Sequence, residues 1–171
     1  KFTRIRTPFV QSWREETLAN NLDWGSQAFS YYFPESLRVI SAMYLKIQLP
    51  AIQTSVYKDN PGVYAIETVR FLSAGQEAYH CDVKQYLRDY LESLNDEHYA
   101  PFTETYLGNT GGAASGAART LLIPILLPNS AYLGRTGATR GHGIFPAYTG
   151  STRVEIQISM NAAKYLSANA A

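Results

Sequence analysis

The chain has 171 residues and carries 15 Lys and Arg against 14 Asp and Glu, a formal net charge of +1. Hydrophobic residues make up 46% of the sequence and charged residues 17%, which excludes an intrinsically disordered chain and a long solvated coiled coil. The balanced charge also lacks the positive excess of a dedicated nucleic-acid-binding protein. The single cysteine, Cys81, excludes an internal disulfide and a zinc site built from several thiolates.

The first third of the chain predicts strands. Residues 4–13 mix β-forming residues with proline and predict an irregular first strand near a sheet edge. Aromatic residues alternate along residues 29–33, and Pro34 ends this strand because proline cannot donate to a β-ladder. Apolar and polar side chains alternate over residues 43–49, so we expect a strand with one buried and one solvated face.

The middle of the chain predicts one strand and one helix. Residues 64–72 are rich in Val, Ile and aromatic residues and lie between turn-forming residues, which indicates a strand. From residue 83 to residue 94, apolar side chains recur every three or four positions, the period of an amphipathic helix. Asp82 is placed to cap this helix, and Gln85 is placed to complete a capping box.

The last third returns to strands. Residues 121–127 are continuously apolar and predict a strand, although Pro124 implies an edge, a bulge or a break. Residues 153–160 alternate β-branched and polar side chains and give the clearest strand pattern of the sequence. Short strands, many Gly and Pro turns and one helical segment together predict a mainly β fold, an antiparallel β-sandwich with one inserted amphipathic helix.

Two long segments, residues 95–118 and 129–148, show no clear period. Loops of this length are uncommon inside a compact domain and usually mark a functional or flexible region. Residues 108–116 are rich in glycine, but the Lys-Ser/Thr pair that a phosphate-binding loop requires does not follow them. A nucleotide site is therefore not expected there.

Few residues suggest catalysis. His80 adjoins Cys81, but neighbouring residues usually point apart, so a buried thiol beside a helix start is favoured over a nucleophile pair. His142 lies between glycines with no carboxylate nearby, which argues against a metal site. Charges that follow a helix are usually solvated rather than catalytic, and this applies to Asp96, Glu97 and Glu104. We expect no enzyme activity, no catalytic residue, no metal and no cofactor.

Aromatic residues leave a second function open. The sequence contains 13 Tyr, 7 Phe and 2 Trp. A carbohydrate-binding face needs exposed aromatic side chains, and the candidates are Tyr31, Tyr32, Tyr44 and Tyr57. Core packing and subunit interfaces use the same residue types and are the favoured interpretation. A carbohydrate- or receptor-binding β-sandwich module is the alternative function.

The order of several short segments is more informative than any one of them. NLDWG at residues 21–25 precedes the aromatic strand, and ISAMYLKIQLP at residues 40–50 follows it. Later segments in the same succession are residues 69–76, YLGN at 106–109, LIPILLP at 122–128 and FPAY at 145–148. In this succession the chain resembles viral jelly-roll major capsid proteins. In particular it is similar to the first jelly roll of the double-jelly-roll lineage, found in large DNA viruses, virophages and membrane-containing icosahedral phages.

The resemblance implies one jelly-roll domain over residues 1–171. Members of the lineage carry two jelly rolls in tandem, so a second jelly-roll domain in a longer precursor, or a second chain, is an expected partner. The implied function is a structural, non-enzymatic capsid protein that self-assembles into the icosahedral shell of a virion inside the host cell. The implied capsomer is a trimer with other capsid subunits, and residues 95–118 and 129–148 are then expected at subunit boundaries.

The N-terminus adds one further alternative. Its basic residues are Lys1, Arg4, Arg6 and Arg14, and two following glutamates offset part of their charge. A weak contact of this end with a genome or an internal membrane is therefore left open.

Overall fold

The computed structural model describes most of the chain, and the described residues are 14–17, 24–25, 28–34, 39–40, 42–53, 55–110, 116–127, 145–146, 148–149 and 152–169. Antiparallel strands predominate among them. None of the helices in these ranges is long and apolar enough to cross a membrane.

The strands, in chain order, are β1 (Phe29–Tyr32), β2 (Val39–Ile40), β3 (Met43–Leu49), β4 (Ser55–Tyr57), β5 (Ile66–Ser73), β6 (Gln76–Asp82), β7 (Arg119–Ile125), β8 (Phe145–Pro146), β9 (Tyr148–Thr149), β10 (Thr152–Met160) and β11 (Ser167–Asn169). The α-helices are α1 (Gly62–Ala65), α2 (Val83–Ser93) and α3 (Asp96–Phe102). Helix α3 continues directly into a π-helix, Thr103–Leu107, and a 3-10 helix covers Ala163–Tyr165.

The main sheet has the strand order β1-β10-β5-β6, and every neighbouring pair is antiparallel. Because side chains alternate between the two faces of a strand, residues aligned across the sheet form rows on one face. One row toward the core consists of Phe29, Ile158, Val69 and Cys81. A second row consists of Tyr31, Ile156, Phe71 and Tyr79. These two rows make the inner wall of the main sheet.

Strands β3 and β7 pair along their whole length and form the second layer. Ile47 of β3 and both Leu121 and Ile123 of β7 are at most 2% exposed. They belong to the same hydrophobic core as the inner wall of the main sheet. Two antiparallel layers around one core make the β-sandwich that the sequence predicts.

The strands predicted from alternation are confirmed. Residues 29–33, 43–49 and 153–160 correspond to β1, β3 and β10. The strand predicted at residues 121–127 is confirmed as β7, which begins two residues earlier at Arg119. Within the described residues β7 pairs with β3 alone, and a strand that pairs on one side only tolerates Pro124.

The strand predicted at residues 64–72 starts later than expected. The backbone N–H groups of Val63 and Tyr64 donate to the carbonyls of Asn60 and Pro61, which closes the helical turn α1 before β5 begins. Strand β6 was missed altogether. Ala74 and Gly75 both have positive φ, as in the two-residue turns that join antiparallel strands, and β6 returns from them along β5.

The expectation of a long loop over residues 95–118 is wrong for residues 96–107. These residues form α3 and the π-helix, and they join the predicted amphipathic helix, which is confirmed as α2. Tyr99, Phe102 and Tyr106 recur at helical spacing, but Pro101 between them argues against a helix in the sequence.

Two other predicted segments lie wholly or largely outside the described residues. These are the strand at residues 4–13 and the loop at residues 129–148. In the second segment, residues 145–146 and 148 are described. They belong to β8 and β9, which pair with β2 and β10, so this part of the segment is not a loop.

Candidate subunit-contact surface

Residues 83–107 form a helical insertion between β6 and β7, and α2 anchors it. Asp82 Oδ1 accepts a hydrogen bond from the Gln85 backbone N–H at 2.9 Å, which confirms the predicted N-cap. The second half of the capping box is not formed, because the Gln85 side chain donates instead to Asp89 Oδ1 at 2.8 Å. The inward face of α2 is buried and consists of Val83, Tyr86 and Leu87.

A series of aromatic rings in contact, some stacked and some edge-on or tilted, connects the helical insertion to β3. We call this series the aromatic ladder, and its members in order are Tyr86, Tyr90, Phe102, Tyr106 and Tyr44. Neighbouring ring centroids lie between 4.8 and 6.4 Å apart. Ring pairs of this kind contribute about 0.5–1.5 kcal/mol each beyond the burial of their area. Burial raises the pKa of the Tyr44 and Tyr90 hydroxyls, so both stay neutral at physiological pH.

Helix α3 lies on the outside of this arrangement. None of its residues is buried, and the ring of Tyr99 is 38% exposed. The C-terminal end of α3 is held by Phe102, which packs on Tyr90 with centroids 4.8 Å apart. Asn60 Nδ2 also donates to the Tyr99 hydroxyl at 3.3 Å. A seven-residue helix is unstable alone in water, so these contacts hold α3 while its outer face stays open to solvent.

The insertion returns to the sandwich through a tight junction at Gly108. This residue has a φ of +75°, and a Cβ atom there would lie 2.5 Å from Leu121 Cδ2. Its carbonyl accepts a hydrogen bond from Arg119 Nη1 at 2.7 Å. The Arg119 guanidinium also lies 4.8 Å from the centre of the Tyr57 ring, a cation–π contact. The insertion is therefore fixed to the sheets at both ends.

The structure places His80 and Cys81 on opposite faces of β6. Cys81 points into the core and is 7% exposed, whereas His80 is exposed with Nδ1 3.5 Å from a Glu77 carboxylate oxygen. Burial raises the pKa of the Cys81 thiol, which disfavours the reactive thiolate. The prediction of a buried thiol beside the helix start is confirmed, and these two residues do not form a nucleophile pair.

The three candidate acids of the sequence analysis are Asp96, Glu97 and Glu104. All three are exposed, as the sequence predicts. The ring of His98 contacts the side chain of Asn95. Across the described parts of the chain, no group of three or more His, Cys, Asp or Glu converges to hold a metal ion. His142 lies outside the described residues.

The four candidate tyrosines for a carbohydrate-binding face do not share one surface. Tyr31 and Tyr32 are consecutive in β1 and therefore point to opposite faces of the sheet. Tyr57 is 8% exposed beneath Arg119, and Tyr44 stacks on Tyr106 in the aromatic ladder. Only Tyr32 is more than half exposed, at 56%. These four side chains therefore offer no continuous platform for a sugar ring.

Comparison with solved structures identifies the fold. The crystal structure of PBCV-1 VP54 fitted into a cryo-EM reconstruction of the virophage Sputnik matches 93% of this chain, with a TM-score of 0.63 and 13% sequence identity. A quasi-atomic model of the PBCV-1 virus capsid matches with the same values. The chain spans 38% of the length of each of these proteins. No protein-family profile matches the sequence, and the curated proteins contain no match. The chain has the fold of these viral capsid structures, a jelly roll, as the sequence resemblance implies.

Proposed function

We propose that the chain is a structural, non-enzymatic capsid protein that self-assembles with other capsid subunits into the icosahedral shell of a virion. The observation that carries this proposal is the match of nearly the whole chain to the fold of a capsid structure, over 93% of its residues. A fold alone does not define a function, so the surface of the chain must also suit the role.

Two features of the surface suit a shell protein. The sandwich is a rigid wall, because both of its layers contribute to one continuous hydrophobic core. The helical insertion packs against this wall and presents exposed side chains, among them Tyr99. Tyrosine is enriched in protein interfaces, and exposed side chains on a rigid scaffold can make subunit contacts without disturbing its core.

The resemblance to the double-jelly-roll lineage supports finer expectations. The capsomer is then a trimer, assembled in the host cell. A second jelly-roll domain or chain is the expected partner for this one, since the chain spans 38% of each protein that it matches. A weak contact of the basic N-terminus with a genome or an internal membrane belongs to the same set of expectations.

Native mass spectrometry of the intact chain over a range of concentrations tests the proposal, with electron microscopy of the same samples. We expect trimers or larger assemblies whose fraction rises with concentration. A chain that is monomeric at every concentration would overturn self-assembly. Measuring the unfolding transition of the same sample ensures that a monomer is a folded monomer.

A further inference from the structure

Several of the basic side chains that the structure describes are engaged inside the chain. Three form ion pairs with carboxylates, and a fourth donates to a backbone carbonyl. The ion pairs are Arg14 with Glu16, Lys46 with Glu15 and Arg70 with Glu77, and the carbonyl is that of Gly108, which accepts from Arg119. Three other cations differ from these, because no carboxylate in the described part of the chain forms an ion pair with Lys58, Lys84 or Arg88.

The fold brings two of these cations to one aromatic ring. Lys58 directly follows β4, and Lys84 lies in the first turn of α2. Their ammonium nitrogens nevertheless lie 5.4 and 5.7 Å from the centre of the Tyr64 ring. Arg88 comes four residues after Lys84 and therefore lies on the same side of α2, one turn further along. Three cations without an acidic partner among the described residues thus collect on one part of the surface.

Backbone and side-chain hydrogen bonds hold the parts of this basic site in place. The Lys58 backbone N–H donates to the Leu166 carbonyl at 2.9 Å. The Tyr64 carbonyl accepts a hydrogen bond from Asn161 Nδ2 at 2.9 Å. Lys84 is held by α2 itself. The fold therefore fixes the backbone positions of both lysines, while their flexible stems let the ammonium groups turn toward a ligand.

The arrangement is electrostatically unfavourable in the chain alone. The two ammonium groups repel each other, and Lys84 also faces the positive end of the α2 dipole. The acids nearest in sequence do not compensate, because neither Asp59 nor Asp82 forms an ion pair with these lysines. Asp82 accepts a hydrogen bond from the Gln85 backbone N–H instead. An anion bound beside the ammonium groups would offset this repulsion.

We propose that Lys58 and Lys84, beside Tyr64, bind one phosphate or sulfate group. Lysine binds such groups as a compact charge with three rotatable donors, and a phosphate has acceptor oxygens for both ammonium groups. Arg88, one helical turn away, adds favourable positive potential. This binding site goes beyond the proposed capsid function and does not depend on it.

The unfolding temperature in inorganic phosphate tests the site, with chloride at the same ionic strength as the reference. The lysine variant is Lys58→Gln with Lys84→Gln. The matched control is Lys46→Gln with Arg70→Gln, which removes two charges that already have acidic partners. Phosphate stabilises most proteins because it is excluded from their surface, and this general effect acts on all three proteins alike.

Binding to the folded chain adds a second, specific rise in the unfolding temperature. We expect the total rise in phosphate to be about twice as large or more in the wild type and the control as in the lysine variant. The unfolding transition in chloride shows that each variant folds. If the lysine variant does not fold, Lys84→Gln alone is measured in its place, and a smaller rise than in the wild type is again expected.

Vesicles of phosphatidylcholine, with and without phosphatidic acid, distinguish a phosphate in solution from a phosphate on a lipid. Cosedimentation of the wild type and the control, but not of the lysine variant, with the phosphatidic acid vesicles assigns the site to a lipid. A specific rise in phosphate without cosedimentation assigns it to a soluble ligand. If neither measurement distinguishes the lysine variant from the wild type, the site is overturned. The capsid role is unaffected by that result, because self-assembly is measured separately.

Discussion

The core of the sandwich and helix α3 of the insertion bury their aromatic side chains to different extents. In the main sheet, Phe71 is fully buried and contributes to a core that both layers share. In the insertion, Tyr99 is 38% exposed on a helix with no buried residue. Burial of these apolar side chains in the sandwich core therefore stabilises the fold of the chain itself. The insertion is fixed at both ends, but part of its aromatic surface stays exposed.

Aromatic truncation gives the largest expected effect and tests this difference directly. Phe71→Ala is expected to lower the free energy of unfolding by about 3–5 kcal/mol, since it leaves a cavity in the core. Tyr99→Ala is expected to lower it by about 1 kcal/mol or less, because the ring is exposed. Urea unfolding of both variants measures the two values. Equal losses would contradict the division between a stabilising core and an exposed contact surface.

The second-largest expected loss of stability comes from a substitution at the junction between the insertion and the sandwich. Gly108→Ala is expected to lower the free energy of unfolding by about 2–4 kcal/mol, because it adds both backbone strain and a clash with Leu121. Gly75→Ala is the matched control, since Gly75 has a φ of +77° but open space around it. Its expected loss is about 1–2 kcal/mol, from strain alone. If urea unfolding gives the same loss for both, close packing at the junction is not important for stability.

The start of the insertion is stabilised by one hydrogen bond that the Asp82 side chain accepts. Asp82→Ala is expected to lower the free energy of unfolding by about 1 kcal/mol, because the Gln85 N–H loses its acceptor. Asp82→Asn keeps an acceptor oxygen and should retain most of that stability. Thermal unfolding followed by circular dichroism distinguishes the two. A larger loss for Asn than for Ala would contradict the capping role.

The smallest expected effect on stability comes from Glu155 on the outer face of the main sheet, and this effect depends on pH. Hydrogen bonds from Ser30, from Gln157 and from Tyr32 lower the pKa of Glu155 below its ordinary value of 4.5. A carboxyl group with a lowered pKa in the folded state stabilises the fold above pH 4.5. That stabilisation is lost as the pH falls through the lowered value.

We therefore expect the wild type to lose slightly more stability than Glu155→Gln on acidification from about pH 7 to about pH 3. The difference should be well under 1 kcal/mol, about the size of other solvent-screened interactions. Urea unfolding of both proteins at several pH values measures it. A steeper loss in the Gln variant would give the opposite sign and contradict the assigned hydrogen bonds.

The sandwich was largely predictable from the sequence because its strands have one wet and one buried face. Strands β3 and β10 show this as strict alternation, and both were found at their observed positions. Strand β6 was missed because six of its seven side chains stay at least partly exposed, with Cys81 the buried exception. An edge strand of that kind carries almost no apolar signal.

The contact surface was less predictable than the fold. The sequence predicts a loop where α3 and the π-helix lie, because residues 95–118 show no clear period. The structure places Pro101 inside α3, where it interrupts the helical spacing of the aromatic residues. Exposure of Tyr99 depends on how α3 lies against α2, which no local pattern encodes. The overall resemblance to capsid proteins succeeded because it depended on the succession of strands, and these strands are the part of the chain with strong periodicity.

Sedimentation velocity of the intact wild-type chain, across a wide concentration range and at low and high salt, tests the central claim most directly. The capsid role predicts a trimer or a larger assembly at high concentration. A single folded monomer sedimenting unchanged under all of these conditions would contradict the claim that this chain is a self-assembling capsid subunit.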